Sequence, residues 1–127
     1  MSEKPHDRSI LVVDDDGDIR EAIGEALRCD GYEVQEAADG CEAWESLKDG
    51  FRPCLIVLDL MMPRMNGYQF RERQLADPSN KDIPVLVVSA AANETELSRL
   101  GVNHRLKKPF DLDDLISAVE HVCGAPQ

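Results

Sequence analysis

The chain has 127 residues, with 25 Asp and Glu against 14 Lys and Arg, a formal charge of −11. That length holds one domain, whose folding buries roughly two-thirds of the unfolded surface, and it excludes a two-domain enzyme. The acidic balance repels a phosphate backbone and argues against nucleic-acid binding, while 43% hydrophobic and 31% charged residues exclude a disordered tail.

No apolar run approaches the ~20 residues that span a bilayer, so no membrane association is expected. The start, Met1 to Ser9, is too polar for a signal peptide, and a cytoplasmic protein is expected. Four cysteines, at 29, 41, 54 and 123, form no C-x-x-C pair and have no histidine at a zinc spacing. Each lies within or beside an apolar segment, which predicts reduced thiols in or near the core. His6, His104 and His121 are scattered and receive no role.

Ile10-Leu11-Val12-Val13 is a short continuous apolar run, the mark of a strand covered on both faces. Ile19, Ala22, Ile23, Ala26 and Leu27 then recur at helical spacing until Gly31 ends the helix. Tyr32 to Ala37 alternates as a weaker strand nearer an edge. Ala43, Trp44 and Leu47 mark a second helix, with Trp44 assigned to the core, before the breakers Gly50 and Pro53. Cys54 to Leu58 is a third, buried strand, and Pro84 to Val88 a fourth. The helix between them, from about Gly67 to Ala76, has a poor stripe, because Arg71 and Gln74 fall where Phe70 wants apolar neighbours. Gly67 reads as a position needing backbone freedom or close approach. Glu94 to Leu100 is short for a helix, and Arg105-Leu106-Lys107 is a thin fifth strand. The last helix buries Leu112, Leu115, Ile116, Val119 and Val122, with Asp111 placed to cap it and Asp114 following at the third helical position.

Five strand–helix repeats with buried strands predict an α/β fold, a doubly wound parallel sheet with helices on both faces and right-handed crossovers. Residues 1–127 form one domain, with its core at about 9–122. Working residues in such sheets gather at the carboxyl ends of the strands. Strand one ends in Asp14-Asp15-Asp16, strand three in Asp59, strand four in Ser89, and strand five in Lys107-Lys108 before Pro109. Asp16 and Asp18 are suited to capping the first helix, and Lys107 to an exposed position. Carboxylates ~4 Å apart repel by a few kcal/mol and call for a cation. Hard oxygen ligands suit Mg²⁺, or Mn²⁺, better than zinc. A divalent ion, a lysine and a hydroxyl are also what a phosphoryl group needs while a carboxylate attacks phosphorus in line.

ILVVDDD, VLDLMMPRMNG, VLVVSA and KKPF, in this order and spacing, resemble the receiver domain of bacterial two-component response regulators, from about Ser9 to Val122. The resemblance implies the flavodoxin-like strand order 2-1-3-4-5. It implies Asp59 as phosphoacceptor, taking its phosphoryl group from a histidine kinase or phosphotransfer protein, with Ser89 and Lys108 assisting. Asp14, Asp15, Asp59 and Met61 would hold the metal, Asp15 directly, Asp14 through water and Met61 through its backbone carbonyl. The Lys108–Pro109 bond would be cis, and signalling would pass to a downstream protein or output domain by conformational change, with no substrate turned over.

Two departures from the family stand out. Arg105 occupies a position where relatives often carry an inward-swinging aromatic, and a long cation does not enter an apolar slot cheaply. The stretch from Ser89 to Lys108 is about one helical turn short. Both predict retained chemistry with an altered readout. Met61 and Ala91, at positions that influence aspartyl-phosphate hydrolysis in the family, have side chains unable to orient a water, which predicts slow self-dephosphorylation. The alternatives are a receiver-like adaptor working without phosphorylation and, more remotely, a haloacid-dehalogenase-like phosphatase built on Asp14-Asp15-Asp16-Gly17. The latter leaves Asp59 unexplained. A flavin site has the same fold class, but no phosphate-binding loop rich in Ser, Thr and Gly follows strand one.

Overall fold

The computed structural model describes residues 8–124; the polar start, His6 and the last three residues lie outside them. Five strands pair in parallel in the order 2-1-3-4-5. They are β1 (Ser9–Val13), β2 (Glu33–Ala37), β3 (Leu55–Asp59), β4 (Val85–Ser89) and β5 (His104–Lys107). Between and after them run α1 (Gly17–Cys29), α2 (Gly40–Lys48), α3 (Gly67–Leu75), α4 (Glu94–Arg99) and α5 (Leu112–Cys123). The expected fold class and order are therefore observed.

The three central strands are buried along their whole length, whereas β2 and β5 alternate exposed and half-buried residues as edge strands do. Side chains alternate across a strand, so each central strand feeds two cores. Ile10, Val12, Val57 and Val88 pack against Ile23 and Leu27 of α1 and Leu115 and Val119 of α5. Leu11, Val13, Ile56 and Val87 pack on the other face against Ala43 and Leu47 of α2, Phe70 of α3 and Leu97 of α4.

The weak stripe of α3 has a specific explanation. Arg71 and Gln74 are buried and direct their polarity onto backbone carbonyls of the neighbouring segments. Arg71 donates to Leu100 O at 3.0 Å, to Gln74 Oε1 at 2.9 Å and to Gly101 O at 3.4 Å. Gln74 in turn donates to Asn80 O at 2.9 Å and Ile83 O at 2.8 Å. Two further links join α3 to α4: the Tyr68 hydroxyl accepts from Asn93 N at 2.8 Å, and Glu72 pairs with Arg99 at 2.9 Å. As expected, α4 is short, at six residues.

Three expectations need correction. Cys54 and Cys123 are not reduced thiols but a disulfide, with Cα atoms 6.0 Å apart across a separation of 69 residues. The foot of β3 and the last turn of α5 meet there, and closing a loop this long stabilises by roughly 4 kcal/mol in the chain-entropy picture. Among the described residues Cys29 and Cys41 are free. Asp111 makes no side-chain cap bond to α5; its backbone carbonyl accepts from Asp114 N at 3.0 Å instead. Trp44 is half-buried at the core's border, edge-on to Phe70 and beneath the Arg73 guanidinium. Asp16 does cap α1, accepting from Asp18 N and Ile19 N.

Replacing Arg71 with methionine keeps bulk but leaves the carbonyls of Leu100 and Gly101 without their donor. The expected cost is about 1–3 kcal/mol in urea unfolding, with faster amide exchange at the end of α4. Unchanged stability and exchange would show that α4 does not depend on α3.

Candidate functional site

Parallel pairing brings the ends of β1, β3, β4 and β5 to one edge, where the strand order reverses around β1 and β3. Asp14, one residue past β1, is fully buried, while Asp15 beside it is exposed. Asp59 ends β3 and is 4% exposed. One carboxylate oxygen from each of the three lies within 4.8 Å of the others. Lys108 follows β5 and reaches back over the edge: its ammonium donates to Asp14 Oδ2 at 2.9 Å and stands 3.6 Å from Asp59 Oδ1. Its backbone N–H, donating to Ser89 O at 2.9 Å, extends the β4–β5 ladder to this point. The Lys108–Pro109 bond is cis, as expected.

The electrostatics follow from three acids and one ammonium in a half-dry edge. At 4.8 Å and an effective dielectric of about 20, two carboxylates repel by about 3 kcal/mol. Asp59 therefore titrates high, at about 6 against an ordinary 3.8, first because burial disfavours its charge and then because Asp14 repels it. Lys108 and the backbone N–H groups of Met61 and Leu60 pull the other way. Burial also works against the charge on Lys108, but Asp14 and Asp59 override it and hold its pKa above the ordinary lysine value.

Ser89 is buried at the end of β4, but its hydroxyl is turned aside, donating to Ala91 O at 2.7 Å. Met61 presents an exposed side chain two residues past Asp59. The structure thus brings Asp14, Asp15, Asp59 and Lys108 together and leaves Ser89 at the rim, facing its own loop.

Several supporting residues gave no recognisable signal in sequence. Arg20 donates to Asp14 O at 2.7 Å and pairs with Glu36 at 3.3 Å, so it holds the acidic loop from below. Arg64, in a left-handed backbone conformation with φ 65°, pairs with Asp39 at the cap of α2 and pins the loop after β3. Gly67 bears out its expected close approach: a Cβ there would lie 2.5 Å from Asp59 O and 2.8 Å from the Leu60 Cα. Arg105 is exposed and ion-paired with Glu94 at the start of α4, and both line an open cleft with Ala90, Ala91 and Ala92.

A doubly wound sheet with an acidic cluster and a lysine at its carboxyl edge defines a class of signalling domain. A sequence model described as the response regulator receiver domain matches residues 10–120. Response regulator MprA of Mycobacterium sp. strain KMS is 40% identical over 85% of this chain and 47% of its own length. The DNA-binding dual master transcriptional regulator RpaA of Synechocystis is 34% identical over 87% of this chain and 46% of its own. Among solved structures, the chemotaxis response regulator CheY4 of Vibrio cholerae superposes with a TM-score of 0.83 at 31% identity, covering 90% of this chain and 97% of that one. The chain belongs to the response regulator receiver domain family. It spans about half the length of the curated relatives it matches.

The raised Asp59 gives a signed pH dependence. Between about pH 4 and 6 the folded chain keeps a proton at Asp59 that the unfolded chain has released, so without divalent cations stability falls as pH rises through that window. Asp59→Asn removes the buried charge. It should stabilise the domain by about 1–3 kcal/mol at pH 7 and by much less at pH 4, measured by urea unfolding in chelator. An equal gain at both pH values would show that Asp59 is not the strained charge.

Proposed function

We propose that Asp59 accepts a phosphoryl group from a phosphohistidine on a histidine kinase or phosphotransfer protein, within a single receiver domain formed by residues 1–127. The observation that carries this reading is Lys108, placed 2.9 Å from Asp14 and 3.6 Å from Asp59. The lysine leaves three carboxylates short of positive charge, which suits a hard divalent cation held by oxygen ligands. Asp15 and Asp59 would ligate Mg²⁺ or Mn²⁺ directly, Asp14 through water and Met61 through its backbone carbonyl. When bound, the ion would neutralise charge on the transferring phosphoryl oxygens.

The chain's own groups do the rest. An Asp59 carboxylate oxygen attacks phosphorus; the P–N bond to the donor imidazole breaks and a P–O bond to Asp59 forms. Lys108, already drawn to this carboxylate, is placed to stabilise a phosphoryl oxygen. The Ser89 hydroxyl has only to rotate from Ala91 O to donate to another. Asp14, fixed by Asp16 N at 2.9 Å and by Lys108, holds negative charge at the floor of the site. No external substrate is turned over in this reading. The output is a conformational change read by a downstream protein or output domain, in the cytoplasm where the donor operates. A charge of −11 directs the contacts of this domain toward proteins rather than nucleic acid. Among the described residues no helix is long and apolar enough to cross a membrane.

Incubation with a small phosphodonor and Mg²⁺ should add one phosphoryl group by intact mass, absent with chelator and absent in Asp59→Ala. Equal labelling of Asp59→Ala would overturn the assignment, and no labelling of the wild type would favour the phosphorylation-independent adaptor.

Dephosphorylation offers a second check. Met61 and Ala91 are exposed beside the site, and neither side chain can orient an attacking water. The double variant Met61→Asn, Ala91→Glu should therefore lose its label severalfold faster than the wild type. An unchanged decay would defeat the role given to these two positions.

A further inference from the structure

We propose that Cys54 and Cys123 form a redox-modification site: a cellular dithiol opens their bond and frees the last turn of α5, and a peroxide closes it, while Asp59 keeps its chemistry in both states. Cys54 lies just before β3 and Cys123 ends α5, and both residues are half-buried at the edge of the core, so neither is sealed inside it. Disulfides of reducing compartments are mostly transient and redox-sensing, so a bond here, under the cytoplasmic placement proposed above, favours a reversible one.

The anchoring is uneven along α5. Leu115 and Val119 are fully buried and hold the middle of the helix whatever the cysteines do. Beyond them the last turn is held by the Cys123 link, by the Tyr32 hydroxyl, which donates to Gly124 O at 3.0 Å, by half-buried Val122 at the border of the core and by the edge contact of His121 with His104. At the other end, Cys54 is held by its backbone N–H, donating to Ser9 O at 2.7 Å, so the β3 side of the link stays in place. Opening the bond therefore removes the covalent tie of the last turn of α5 and leaves it on these weaker contacts, while the sheet keeps its own hydrogen bonds. Cys54 stands at the amino edge of β3 and Asp59 at its carboxyl edge, roughly 16 Å apart at about 3.3 Å per residue.

The chemistry balances with two named reagents. A dithiol thiolate attacks one sulfur to give a mixed disulfide; its second thiol then displaces that sulfur, leaving an oxidised reagent and both cysteines as thiols. In the reverse direction, hydrogen peroxide takes two electrons from the pair. It forms a sulfenic acid on one cysteine with release of water; the second thiolate attacks it, forming the disulfide and releasing a second water.

The test uses the folded chain with Cys29→Ser and Cys41→Ser, so that alkylation reads only the pair. The chain is equilibrated with reduced or oxidised dithiothreitol, quenched with N-ethylmaleimide and mapped by mass spectrometry. The expected result is a linked Cys54–Cys123 peptide in oxidant, two alkylated peptides in reductant, and restoration of the link by peroxide. Amide exchange of residues 120–124 should be severalfold faster in the reduced protein, while that of β3 is unchanged. A bond that opens only in denaturant would make it a fixed structural staple and overturn the proposal, as would failure of the bond to form. Identical exchange in the two states overturns it too, and Cys123→Ser should reproduce the reduced pattern. Small-donor phosphorylation should proceed equally in both states; loss of labelling in one alone would refute the independence of the two ends. Failure to label in either state refutes only the phosphoacceptor reading, because the thiol readout is separate.

Discussion

The fold is organised around an unfavourable interaction, the confinement of Asp14, Asp15 and Asp59 to one edge with the Lys108 ammonium set against them. A domain gains nothing in stability from such an arrangement. The carboxylates repel, burial raises Asp59, and the ammonium that bridges them gives up its own hydration. The cores on both sides of the sheet supply the compensation. They fix the central strands whose ends carry Asp14 and Asp59, so those two buried acids stay side by side. In the function proposed above, this retained repulsion is what a cation would relieve.

Support for that edge comes from residues that never approach the reacting atoms. Arg20 grips the carbonyl of Asp14 while pairing with Glu36, so α1 and β2 jointly set the acidic loop. Arg64 fastens the loop after Asp59 to the cap of α2. Gly67 lets α3 begin against the backbone of Asp59 itself. Each contact links the site to a different helix, so the position of Asp59 is shared information across much of the domain.

Strand burial, the alternation that divides one sheet between two cores, and the residues at the strand ends were legible because each depends on local pattern. Ile10 to Val13 can face two cores only as a central strand, and the acid that follows must then emerge at its carboxyl edge. What escaped the sequence depends on tertiary partners. The destinations of Arg71 and Gln74 are carbonyls up to 30 positions away in the chain, so their burial looked like a defective stripe. Cys54 and Cys123 had no diagnostic spacing, since the disulfide depends on where the end of α5 lands on the sheet. Ser89 was placed correctly at the end of β4, but a hydroxyl's rotation has no sequence signature, and here it satisfies Ala91 O. Arg105 was recognised as unable to occupy an apolar slot, and its pairing with Glu94 on the exposed face supplies the physical outcome.

The stitching of α4 to α3 changes what the shortest helix can be. Six residues lie well below the length at which a helix sustains itself in water. Tyr68 holds its entry, Glu72 its side and Arg71 its exit, so its rigidity is borrowed. The two helices are therefore tied at three points, so a displacement of α4 pulls on Tyr68, Glu72 and Arg71 of α3.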